Sequence, residues 1–96
     1  MQFVIAADHP CLAGHFPGNP LVPGVVILEH VLAAVQAQAG SAPAPLRLPQ
    51  VKFIAPLRPG QVAHIALDGQ APRWRFRVYR DDQELARGEV VAGAGA

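Results

Sequence analysis

Apolar and polar positions change period twice along this chain. A short β-prone run, Gln2 to Ala6, ends at Asp8-His9-Pro10, where the proline ring fixes its own φ and holds His9 extended. From Gly14 to Gly24 the sequence Gly-His-Phe-Pro-Gly-Asn-Pro-Leu-Val-Pro-Gly sets prolines at positions 17, 20 and 23 among three glycines. That spacing excludes helix and strand and predicts a stiff loop. Val25 to Ala39 contains no breaker, stops at Gly40 as a helix does at its C′ residue, and runs into Ser41-Ala-Pro-Ala-Pro45. One long helix is predicted there. Its first half is apolar on every side except at Glu29 and His30, the pattern of a helix surrounded by protein.

After Pro45 the period falls toward two. Leu46 to Ile54, Gln61 to Asp68, Arg73 to Arg80 and Glu84 to Val91 are separated by Pro59-Gly60, by Gly69 to Pro72 and by Asp81-Asp82. Four consecutive strands with short turns predict an antiparallel meander. In Arg73-Trp-Arg-Phe-Arg-Val78 the arginines take one face and Trp74, Phe76 and Val78 the other, so one face packs and one meets solvent. The tail, residues 92–96, has no side chain to anchor it and is expected to be mobile.

Composition narrows the class. With 96 residues, 51% hydrophobic and only 16% charged, the chain is one folded domain, 1–96, and neither disordered nor a solvating tail. A domain this small buries a modest fraction of its surface, which points to a partner subunit. The formal charge of +1 gives no global field for nucleic acid or an anionic membrane, so any basic contact is local. Cys11 is the single cysteine and no signal-like leader is seen, so a cytoplasmic location is expected. The longest apolar stretch, Leu21 to Val35, is too short to span a bilayer and is broken by Pro23, Glu29 and His30.

Candidate chemistry lies between His15 and Glu29. Glu29 sits one turn into the helix among Val25, Val26, Ile27, Leu28, Val31, Leu32 and Val35. A carboxylate so placed pairs, takes up a proton, or stays near a cleft, and a raised pKa would suit a general acid. Pairing with an arginine or capping by water is the plain structural alternative. His15 precedes the proline-stiffened loop, so a rigid backbone aims its ring, and imidazole acts as a base near neutral pH. A loop histidine by itself is more often a surface or hydrogen-bonded residue than a catalyst, so it is the combination with Glu29 and the helix entrance that matters. Pro23-Gly24 opens the helix without a Ser, Thr or Asp at the N-cap, which leaves the N–H groups of Gly24 and Val25 unclaimed by a local side chain. Glycine would let a ligand approach that backbone, and the helix dipole favours negative charge there. Base, acid and oxyanion donors together suit removal of a proton α to a carbonyl and loss of a β-hydroxyl, although chemistry alone allows other reactions.

The run His15-Phe-Pro-Gly-Asn-Pro-Leu-Val-Pro-Gly-Val-Val-Ile-Leu-Glu29 resembles the signature of FabZ-type 3-hydroxyacyl-[acyl-carrier-protein] dehydratases, with the same fourteen-residue spacing from histidine to acid. The resemblance is strong over residues 9–35, weaker through Val51-Lys-Phe-Ile-Ala-Pro-Leu-Arg-Pro-Gly60, and confined to the strand pattern beyond Gln61. It implies an α+β hotdog fold, an antiparallel sheet of about five strands wrapped around one long central helix. It also implies a dimer in which His15 faces Glu29 of the partner. His15 would take the C2 proton of a (3R)-hydroxyacyl thioester, Glu29 would protonate the departing hydroxyl, and the N–H groups of Gly24 and Val25 would polarise the thioester carbonyl, inside a site loop of Phe16, Pro17, Gly18 and Pro23. No cofactor is implied. The implied partners are an acyl carrier protein bearing the substrate on 4′-phosphopantetheine and further hotdog subunits, as a homodimer or larger, or a heterodimer. The family's usual N-terminal helix and strand have no counterpart before His15, which leaves tunnel lining and oligomer size open. The opening Ala7-Asp-His-Pro10 together with the His15-Phe-Pro-Gly18 run is more similar to the small dehydratases of aryl-polyene and xanthomonadin-type pigment clusters.

Other residues are weighed against this. His9, His30, His64, Cys11 and His15 fit no zinc spacing, so no metal is expected. His30 points about 100° from Glu29 and reads as structural. Lys52 and Arg58 are the better candidates for meeting an acidic carrier protein, whereas Arg73, Arg75 and Arg77 fit a solvated strand face, kept charged against edge aggregation, better than a carrier contact. Two further readings stay open: a hotdog thioesterase, and a subunit that lends a half-site or binding surface to a related dehydratase.

Overall fold

The structure is a computed structural model and describes residues 1–6, 21–40 and 45–93. Its elements in chain order are β1 (Gln2–Val4), α1 (Gly24–Ala39), β2 (Leu46–Phe53), β3 (Val62–Gln70), β4 (Arg73–Arg80) and β5 (Gln83–Ala92). The long helix and the four later strands fall where the pattern predicts them, within two residues at each end. The tail expected from residue 92 starts inside β5: Ala92 closes the strand, Gly93 N–H donates to the Pro45 carbonyl at 3.0 Å, and 94–96 lie outside the described residues.

All pairings are antiparallel, in the order β1-β3-β4-β5-β2. The predicted meander of four strands is corrected by this order. β3, β4 and β5 form one, but β2 pairs with β5 at the far edge, from Leu46↔Ala92 to Phe53↔Ala86. The connection after β2 explains why, because Pro56 and Pro59 make it too stiff for a tight hairpin. It crosses the end of the sheet instead. Ile54 N–H and Ala55 N–H both donate to the Leu85 carbonyl, and Gly60 N–H donates to the Ile5 carbonyl at 2.8 Å beside β1.

The chain thus leaves one edge at β1 and returns to the other at β2, with α1 between, so the helix lies against the inner face of the sheet. Val26, Ile27, Val31, Ala34 and Val35 point into the core. They share it with Phe3 and Ile5, Ala63 and Ile65, Leu57, the alternating Trp74, Phe76 and Val78 of β4, and Leu85, Ala86 and Val90 of β5. Gly88, opposite Phe76, is required by packing, since a Cβ there would collide with the Gln50 carbonyl oxygen and the Phe76 ring. The other side of α1 is open in the single protomer. Val25 is 63% exposed and Glu29 and Ala33 follow it on the same side. A helix expected to have protein all round it is covered on one face, because one five-stranded sheet curls over one side only.

Candidate active site

The entrance of α1 is built by its neighbours. Val22 N–H donates to the Leu57 carbonyl at 2.8 Å, which fastens the incoming chain to the crossover after β2. Pro23 is the N-cap, extended at φ −60° and ψ 143°, and its side chain offers no cap. Its carbonyl accepts from Val26 N–H at 3.0 Å and Ile27 N–H at 3.4 Å. Among the described residues nothing accepts from the N–H groups of Gly24 or Val25, and the positive end of the helix dipole adds to their pull on an oxygen.

A cavity of about 450 Å³ opens beside this turn, walled by Leu21 to Gly24, Ile27 and the segment Phe53 to Leu57. Its lining is mostly apolar. The surroundings of Gly24 differ from the sequence expectation. The glycine does make room, but for the Phe53 ring: a Cβ on Gly24 would lie 2.6 Å from Phe53 Cζ. Phe53 is 52% exposed, so the ring lies between solvent and the helix entrance. Sequence reasoning left Phe53 without a role. The signal was the alternation Val51-Lys52-Phe53, which sends Phe53 to the helix side of β2 and Lys52 to the outer side.

Glu29 sits one turn after Val25 on the open side of α1 and is exposed, with no hydrogen bond or ion pair among the described residues. The expected burial is therefore absent in the single chain, because its apolar neighbours Val26, Ile27 and Val31 turn toward the sheet. Glu29 does not line the cavity at the entrance. His30 stacks on Phe3 with ring centroids 4.2 Å apart and planes 4° from parallel, which gives its structural reading a partner. His64 stacks on Tyr79 at 5.4 Å. No group of three or more potential metal ligands occurs among the described residues. His15, Phe16, Pro17 and Gly18 lie outside them, as do His9 and Cys11. Lys52 and Arg58 are both exposed but are not brought together. Lys52 lies on the outer sheet face, whereas Arg58 belongs to the crossover, where its backbone N–H donates to Gln61 Oε1 at 3.0 Å.

Comparison with known proteins gives one answer from three directions. Residues 1–89 match the family model of the ApeI-like proteins, described as ApeI dehydratase. The 3-hydroxyacyl-[acyl-carrier-protein] dehydratase FabZ of Caldicellulosiruptor saccharolyticus is 31% identical over 91% of this chain and 71% of its own length. The FabZ of Chloroflexus aggregans is 49% identical over 93% of this chain and 60% of its own length. Among solved structures, the dehydratase heterocomplex ApeI:P from Xenorhabdus doucetiae matches with a TM-score of 0.76 at 28% identity, over 97% of this chain and 84% of that one. With nearly the whole chain matched and its sheet and helix superposing on a solved dehydratase, this protein has the hotdog fold and belongs to the ApeI-like dehydratase family.

Proposed function

We propose that this dehydratase eliminates water from a (3R)-hydroxyacyl thioester carried on the 4′-phosphopantetheine of an acyl carrier protein and releases a trans-2-enoyl thioester. The carbonyl oxygen would accept from the N–H groups of Gly24 and Val25, which stabilises negative charge as it develops. His15 then takes the C2 proton, the C2–H electron pair becomes the C2=C3 bond, and the C3–O bond breaks as Glu29 gives its proton to the leaving oxygen. His15 ends protonated and Glu29 ionised, and proton exchange with water resets both. Lys52 and Arg58 are the cations proposed to meet the carrier.

The observation that supports this best is the entrance of α1. Two backbone donors without an acceptor among the described residues open beside an apolar cavity, and a carboxyl follows on the same helix. That Glu29 lies on the open side of α1 favours a site completed by a second hotdog subunit, whose His15 would reach it. A second copy of this chain or a related subunit meets that need, and the matched neighbour is itself a heterocomplex. The similarity of Ala7-Asp-His-Pro10 and His15-Phe-Pro-Gly18 to the small pigment-cluster dehydratases favours such a substrate over a housekeeping one.

The test is turnover of a 3-hydroxyacyl-carrier-protein thioester by the purified protein, with mass spectrometry reporting the loss of water. His15→Ala and Glu29→Gln should each lower turnover by about 10²–10⁴-fold. Full activity in Glu29→Gln would remove the assigned acid. Free thiol appearing in step with substrate loss would turn the reading to thioester hydrolysis, and activity only after adding a related subunit would make this chain one half of a heteromeric enzyme.

A further inference from the structure

The sequence gives a nearly neutral chain, but the strand register does not spread its charges evenly. Of eight Lys and Arg residues, six lie on the outer face of the sheet: Arg73, Arg75 and Arg77 on β4, Arg87 on β5, and Arg47 and Lys52 on β2. Arg77 is directly opposite Arg87, and Arg87 is directly opposite Lys52, so three cations stand in one row across three strands. Like charges placed opposite one another weaken a sheet unless something neutralises them. The acids at hand do this sparingly. Glu84 serves both Arg87 at 3.7 Å and Arg77 at 4.0 Å, and Glu89 is engaged by Arg73 at 2.7 Å. Lys52 and Arg75 have no ion pair among the described residues. Lys52, Arg75, Arg77, Arg87, Gln50 and Glu89 line a shallow groove of about 500 Å³.

We infer that this face docks the acidic surface of the carrier protein, which makes the row Arg77-Arg87-Lys52 the main anchor in place of Arg58; the partner's identity rests on the dehydratase reading above. Charge complementarity supports the choice. Arginine forks pair with carboxylates two bonds at a time, and half-exposed cations in an open groove raise the encounter rate of an acidic protein. Glu84 and Glu89 within the same field would repel a continuous run of phosphates, which favours a protein surface over a nucleic acid. The position also suits delivery. Consecutive strand residues point to opposite faces, so the cation row ends at Lys52, one residue from the Phe53 that walls the cavity.

The experiment measures binding of a labelled acyl carrier protein by fluorescence anisotropy, and separately turnover of a short N-acetylcysteamine thioester that has no carrier. The double variant Arg77→Glu/Arg87→Glu should raise the carrier Kd by about tenfold or more, and Lys52→Glu should weaken it in the same direction. Gln36→Glu on the exposed end of α1 should leave it within about twofold. These side chains are exposed, so the variants should keep the fold, which circular dichroism checks. The simple thioester should be turned over equally by wild type and variants. A carrier Kd unchanged by the double reversal overturns the inference, and so does displacement of the carrier by a short DNA duplex as readily as by an acidic protein. If wild type fails to dehydrate the 3-hydroxyacyl-carrier-protein thioester while the reversal still abolishes carrier binding, the reaction assignment falls and the docking face stands.

Discussion

At the scale of single residues, the contact of Phe53 with Gly24 is where packing and chemistry meet. A Cβ on Gly24 would press on the far end of the Phe53 ring, a side chain that is half exposed. Gly24→Ala should therefore move melting temperature little while lowering kcat/KM about tenfold, because the displaced ring and the new methyl both crowd the amide donors. Phe53→Leu combined with Gly24→Ala should recover part of that loss, and thermal melts beside turnover assays check both. The run from His15 to Glu29 was legible as a family resemblance because its residue types recur at a fixed spacing, and the family match bears that resemblance out. Whether Glu29 is buried was not. Its apolar neighbours in sequence turn to the sheet, so periodicity around a helix says little about a face that a second chain would cover.

At the scale of elements, Gly88 shows why β5 tolerates no side chain at that position. Gly88→Val should lower stability by roughly 1–3 kcal/mol, the usual cost of forcing extra methyl groups into a packed core, as read by urea unfolding. Leu57, fully buried in the crossover and holding Val22 through its carbonyl, should cost about 2–5 kcal/mol when truncated to alanine. Strand identity and alternation were readable, since Trp74, Phe76 and Val78 announce their face. Strand order was not. Pairing of β2 with β5 depends on residues about forty positions apart, and the only local hint was the pair of prolines that makes a tight turn between β2 and β3 unfavourable. The same gap hid the full cation row, because Lys52 joins Arg87 and Arg77 only once that pairing is known.

At the scale of the whole molecule, the single protomer leaves open the outer edge of β2, one of the two edge strands of the sheet, and the uncovered side of α1 with Val25 and Glu29, both available to a partner subunit. Small size and an apolar composition made association legible from the sequence, but the surfaces that serve it were not. If each site takes His15 from one subunit and Glu29 from the other, co-refolding inactive His15→Ala with inactive Glu29→Gln should restore about a quarter of wild-type turnover, the share of sites left intact by random pairing in a two-fold dimer. No recovery would mean that both groups act within one chain or that the partner is a different subunit. Among the described residues no helix is long and apolar enough to cross a membrane.

The sheet order also sets a sequence of events. β3, β4 and β5 are joined by short turns and close over small loops, whereas β1 and β2 reach their partners only across long stretches of chain. Loop-closure entropy favours the local hairpins, so the C-terminal three strands form the early, slowly exchanging core and the two edges arrive late. Amide protons of β4 should then be the last to exchange with deuterium, and those of β2 and the first turn of α1 among the first. The helix entrance, where the substrate is proposed to bind, thus belongs to the part of the molecule expected to open first, which would let it yield to an incoming acyl chain without unfolding the strands behind it.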